Sequence, residues 1–326
     1  MTTKRQQQTS LAFFKFKLAL TAEIRTAHYC WTAFEYSSRW WKEQLKTANY
    51  GLTTDYPGDS GRPFSSIAVS PTTFIGTRRE QSEAAVRGNA IINIHTAFET
   101  YLSDTTQRAV FLKPMLIKDS GLQIEAGELA RVIDTGDVRR YLADLVAEKY
   151  LYNKSHKEMV QWIDRQFKCG IENGEKTLFT SWKHWSDIRN ALIHAGREVS
   201  QQLVSIWPER FGTRKPSPKL DNCDVVSCHT TAYRLAAAMD RQIVRVAVGD
   251  QDASLLAREL FVRHGITDSG ELSRIVDHAL SARFSKSKVE HSLAFQRRTT
   301  ADPCKEFDFT DEMLQPTVEV VEPSSP

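Results

Sequence analysis

Arg189, Asn190 and His194 fall within the six-residue segment Arg189-Asn190-Ala191-Leu192-Ile193-His194, and together they carry the groups that phosphodiester cleavage in RNA requires. That reaction needs one group to take the proton from the 2′-hydroxyl and another to protonate the leaving 5′-oxygen. It also needs a cation to hold the phosphate while charge builds on its oxygens. An imidazole exchanges protons near neutral pH, which suits His194 to the proton work. A guanidinium is a planar, permanently charged fork that grips phosphate oxygens, which suits Arg189 to the phosphate. Asn190 is a neutral polar group that can donate to the phosphate or orient the imidazole. The chemistry calls for no metal and no cofactor.

Spacing refines the reading. At about 100° per residue, Arg189 and His194 stand roughly 140° apart around a straight helix, whereas Asn190 and His194, four residues apart, share a face. One straight helix therefore cannot close an Arg–His pair on one side. A second copy brought by a two-fold axis could supply the missing partners and place two histidines on opposite sides of one phosphate. The bland alternative stays open at this point: in a helical interaction protein the same Arg and His make ordinary structural hydrogen bonds.

The elements that must carry these residues follow from apolar spacing. Aromatic residues recur from Leu11 to about Thr47 (Phe13, Phe14, Phe16, Tyr29, Trp31, Phe34, Tyr36, Trp40, Trp41). They indicate one or two helices, although Phe14-Lys15-Phe16-Lys17-Leu18 alternates like a strand. This basic, aromatic segment is packing surface or a base-stacking face. Gly and Pro punctuate a loop from Tyr50 to Pro71. A long helix is expected from Thr77 to about Gln107 and a second from about Asp137 to Tyr152. A third starts at Ser155, where Ser155-x-x-Glu158 is a capping-box pattern. The fourth, about Lys176 to Ala195, carries the motif and stops at Gly196, a plausible C′ glycine. A loop over 210–224 leads to a fifth helix, about Ser227 to Val248, and residues 253–295 read as a helical pair joined near Gly265 to Gly270. The fold class is all-α.

Charge is unevenly distributed. Residues 301–326 hold seven acids against one Lys, and with four prolines they read as an acidic disordered tail. Residues 1–46 hold eight Lys or Arg against three Glu, a balance able to attract a polyanion. The five cysteines (Cys30, Cys169, Cys223, Cys228, Cys304) are irregularly spaced, which points to reduced thiols. Cys223-x4-Cys228-His229 suggests zinc, but a structural site takes four ligands and no nearby fourth presents itself. The richest apolar stretch, Leu11 to Leu20, is interrupted by Lys15 and Lys17, so no membrane span fits. Nothing near Met1 resembles a signal peptide, and a cytoplasmic location is expected.

Over about residues 77–248 the order of elements resembles the HEPN superfamily (higher eukaryotes and prokaryotes nucleotide-binding), helical bundles with an R-x4-6-H motif on a late helix. Ile188-Arg189-Asn190-Ala191-Leu192-Ile193-His194 fits the four-residue spacing. Ile94-His95-Thr96-Ala97-Phe98-Glu99-Thr100-Tyr101-Leu102 is similar to the family's early helix, and by that analogy Glu99 would support the motif Arg. The resemblance implies a HEPN-like bundle (77–248) between an N-terminal helical extension and loop (1–76) and a C-terminal helical extension (249–300), ahead of the tail (301–326). It implies a homodimeric, metal-independent endoribonuclease leaving 2′,3′-cyclic phosphates, of the kind that serves as a bacterial toxin or antiviral effector, with a regulatory or sensor protein as a further partner. Superfamily members that only bind or assemble supply the competing expectation: an inactive nucleotide- or RNA-binding module. The nucleotidyltransferase-paired toxins carry a Tyr two positions after the motif His, where this chain has Gly196, so adenylylation at that place is not expected.

Overall fold

The computed structural model describes residues 8–52, 69–135, 138–193, 201–208 and 219–296. Every regular element among them is helical, as the apolar spacing implies. The longer ones are α1 (Leu11–Gln44), α2 (Arg79–Leu112), α3 (Ala126–Thr135), α4 (Val138–Tyr150), α5 (His156–Phe167), α6 (Lys176–Ile193), α7 (Gln201–Ile206), α8 (Asn222–Ile243), α9 (Gly249–His264), α10 (Ser269–Leu280) and α11 (Lys286–Gln296), with short helical turns at Pro71–Thr73, Phe74–Arg78 and Ile171–Gly174. A 3₁₀ turn, Pro114–Ile117, follows α2, and a π-type turn, Val244–Val248, joins α8 to α9. No helix among the described residues is long and apolar enough to cross a membrane.

The aromatic N-terminal segment is one uninterrupted helix, α1, and the strand-like alternation at Phe14 to Leu18 does not prevail. No Gly or Pro interrupts Leu11–Gln44, and Phe13, Phe14 and Phe16 are all buried, so tertiary packing decides the local ambiguity. The Ser155 capping box forms as its sequence implies: Ser155 Oγ accepts from the Glu158 amide at 3.3 Å and Glu158 Oε2 accepts from the Ser155 amide at 2.9 Å. Two expectations are corrected. The C-terminal pair is three helices, α9 to α11, because Ser281 adopts a left-handed conformation (φ 49°) that ends α10. α8 begins at Asn222 rather than Ser227, since Asp221 and Asp224 cap its start by exchanging amide–carboxylate bonds at 2.7 and 3.0 Å. Most of the Tyr50 to Pro71 loop, and all of the acidic tail with Cys304, lie outside the described residues.

The chain divides into two compact units. The first comprises residues 1–19, 96–186 and 230–326. Its core joins Leu11 and Phe14 to Leu256, Leu260, Leu272, Val276, Leu280 and Val289, so the start of α1 packs with α9, α10 and α11. A polar centre lies within the same unit. Buried Arg108 of α2 donates from Nη1 and Nη2 to the two oxygens of Glu259 at 2.9 and 3.0 Å, and from Nε to Asp252 Oδ1. Asp252 Oδ2 in turn accepts from the Leu11 amide at 3.0 Å, and Asp240 Oδ2 from the Ser10 amide at 3.0 Å. The first amides of α1, which have no partner within the helix, are thereby satisfied by carboxylates from α8 and α9.

The second unit comprises residues 20–95 and 187–229. Arg79 bridges Glu35 of α1 and Glu83 of its own helix, both at 2.7 Å. Arg87 reaches Glu83 at 2.8 Å, Asn222 at 2.8 Å and the Leu220 carbonyl at 3.4 Å. Buried Gly88 lies close to the end of α6: a Cβ built there would meet Leu192 Cδ2 at 3.6 Å.

Candidate functional site

α6 positions the motif. Its buried face is Phe179, Trp182, Trp185, Ile188 and Ala191, a helical stripe that leaves Arg189 and Asn190 off the apolar side. Asn190 is exposed and Arg189 half-buried. The two are hydrogen-bonded, Arg189 Nη1 donating to Asn190 Oδ1 at 3.2 Å. Arg189 Nε is buried and has no hydrogen-bond partner among the described residues. The pair thus presents a cation that no carboxylate among the described residues neutralises. Beside it stands an amide whose oxygen is occupied, which leaves its NH₂ to donate outward. Ile193, the last residue of α6, is 40% exposed. His194 lies outside the described residues.

Glu99 is placed on α2 beside the start of α5, where its Oε2 stands 3.6 Å from His156 Nε2. His156 lies flat against Trp182, with ring centroids 5.7 Å apart and planes inclined by 2°, and Phe98 packs on the same indole at 4.6 Å. Nothing in the apolar pattern singles out His156. The only signal is the capping box, which makes it the first residue of α5 and sets its side chain at the helix entrance.

No protein-family model matches this sequence, and comparison with curated proteins and with solved structures returns no match. The chemistry of the site therefore rests on its own residues.

The other sequence candidates differ in burial. Cys228 and His229 are buried, while Cys223 is exposed. Burial, with the Asp224 carboxylate nearby, pushes the Cys228 thiol well above its ordinary range, and burial alone pulls the His229 imidazole down to about 4, both favouring the neutral forms. Among the described residues no three His, Cys, Asp or Glu side chains converge as a metal would require. In the aromatic N-terminal helix, Trp41 packs edge-on against Tyr50, with centroids 5.5 Å apart. Tyr29 and Tyr36 are exposed at 70% and 71%, so the segment is core at some positions and free aromatic surface at others.

Proposed function

We propose that this chain is a metal-independent endoribonuclease of the HEPN type, with its site completed by a second copy of the chain. The observation that carries the reading is the Arg189–Asn190 pair, a guanidinium with no carboxylate partner among the described residues and an amide with its donors turned outward. That is the equipment for holding a phosphodiester. The R-x4-H spacing to His194 and the all-helical architecture support it further. In the proposed reaction one His194 takes the 2′-hydroxyl proton as that oxygen attacks phosphorus. The P–O5′ bond breaks, and the His194 of the second copy protonates the departing 5′-oxygen, giving a 2′,3′-cyclic phosphate and a 5′-hydroxyl. Arg189 holds the charge that builds on the phosphate oxygens, and Asn190 donates a further hydrogen bond. Glu99, held beside His156, supports the bundle in this scheme and touches no substrate. A role as a toxin or antiphage effector in the cytoplasm, answering to a regulatory or sensor partner, is the setting such an activity fits.

The test is incubation of the purified protein with total RNA in EDTA beside His194→Ala, with end-group analysis of the products and sedimentation of the protein. Cleavage by the wild type alone, cyclic-phosphate ends and a dimer are expected. Intact RNA together with absence of His194-dependent toxicity in cells, equal cleavage by His194→Ala, or a fully active monomer would overturn it.

A further inference from the structure

The first compact unit contains a cavity of about 690 Å³ that the ribonuclease scheme does not use. It opens between the 3₁₀ turn Pro114–Ile117 with the residues after it, the end of α4, the C-terminal half of α5, and the π-type turn at Val246. Three cations border it, Lys118, Arg165 and Lys168, against one carboxylate, Asp119. All three cationic residues are exposed. Lys118 approaches Asp119 only to 4.0 Å, and neither Arg165 nor Lys168 makes an ion pair among the described residues. Lys168 is held at the rim by a left-handed backbone (φ 55°) that ends α5.

Apolar side chains supply much of the remaining lining. Tyr150 and Trp162 stack at 5.0 Å with planes inclined by 15°, and Met115, 68% exposed, completes an apolar, polarizable wall. The walls are tied in place. Tyr150 Oη donates to the Ser120 carbonyl at 2.7 Å, and Gln166 Nε2 donates to the Leu116 carbonyl at 2.5 Å. The cavity is therefore shaped before anything enters it, which lowers the ordering cost of binding.

We infer that this cavity is a binding site for a mononucleotide, its phosphate held by Arg165, Lys168 and Lys118 and its base against Met115 and the Tyr150–Trp162 wall. The volume is in the range of small-ligand pockets, roughly 300–1,000 Å³. The excess of two positive charges matches one phosphate dianion, and the Arg fork can hold two of its oxygens at once. Aromatic and sulfur-containing walls favour a flat heterocycle over a sugar phosphate without one. The inference stands apart from the ribonuclease reading, since it uses neither Arg189, Asn190 nor His194.

Calorimetric titration of the full chain with AMP, inorganic phosphate and adenosine tests it, with Trp fluorescence as the second readout. AMP is expected to bind at one site with Kd below about 1 mM, and phosphate and adenosine each at least roughly tenfold more weakly. Arg165→Gln with Lys168→Gln, both at exposed positions, should weaken AMP by roughly tenfold or more without lowering the melting temperature. Trp162→Leu should weaken it about fivefold or more, and Met115→Ala, at an exposed position, repeats the apolar arm should Trp162→Leu unfold. No AMP binding at 1 mM, AMP binding unchanged in the Arg165/Lys168 variant, or phosphate or adenosine binding as tightly as AMP would overturn the assignment. None of these results depends on whether the protein cleaves RNA.

Discussion

Arg189 donates to the side-chain oxygen of the residue that follows it, Asn190, at 3.2 Å, and so determines which end of that amide faces outward. If the pair serves the phosphate, Asn190→Ala loses one donor and Asn190→Asp replaces that donor with a negative charge. The Asp variant also pairs off the guanidinium. Cleavage rates should therefore fall in the order wild type, Ala, Asp, with the Ala variant down roughly tenfold and the Asp variant lower still. Equal rates for Ala and Asp would separate Asn190 from the phosphate.

Arg189→Lys tests the fork itself. Lys keeps the charge but not the planar pair of donors, so a transition-state clamp should lose about 10² in rate while thermal stability holds. A Lys variant at full speed would show that charge alone suffices.

The helices were largely legible in sequence because their signals are local. Ser155-x-x-Glu158 announces α5, and the run of Trp182, Trp185, Ile188 and Ala191 announces the buried side of α6. What was not legible depends on partners far away in the chain. Ser10 meets Asp240 across 230 residues, and Arg108 meets Glu259 across 151. In sequence each of these charged or polar residues reads as surface, since charged side chains are seldom buried without a partner, and periodicity does not reveal the partner. The cavity cations Lys118, Arg165 and Lys168 are equally silent, because two separate elements supply them.

Arg108 provides a stability prediction from that hidden network. Arg108→Met would leave Glu259 and Asp252 buried without their cation, and removing one partner of a buried ion pair costs about 3–5 kcal/mol. Chemical denaturation should show a loss of that size. The triple replacement with Glu259→Met and Asp252→Asn should recover part of it, because the uncompensated charge is then gone. A single Arg108→Met variant as stable as the wild type would mean that the carboxylates are neutralised in another way.

Gly88 makes a prediction in the second unit. A methyl there would stand 3.6 Å from Leu192 Cδ2, an ordinary contact. Gly88→Ala should therefore gain helix propensity, up to about 1 kcal/mol, with no clash. Gly88→Leu has no such room and should cost roughly 1–3 kcal/mol through overpacking. It should also displace the end of α6 that carries the motif. Melting curves of the two variants, with cleavage assays alongside, check the sign change.

Among the buried groups that tie stability to pH, Asp240 and His229 act with opposite sign. Burial raises Asp240 from 3.8 to about 7. Between those values the folded chain keeps a proton that the unfolded chain has released, so this group makes stability fall as pH rises from about 4 to 7. Burial lowers His229 from 6.5 to about 4. There the unfolded chain holds the extra proton, so this group makes stability rise over much of the same window. In the wild type the two slopes oppose each other. Asp240→Asn keeps an amide able to bond Ser10 and removes this group's falling contribution, so relative to the wild type its melting temperature should climb with pH between about 4.5 and 6.5. His229→Gln should shift the profile the other way, its melting temperature declining toward neutral pH relative to the wild type. Thermal melts of the three proteins across pH 4.5–8 decide it: parallel profiles would mean that neither group titrates between those pKa values.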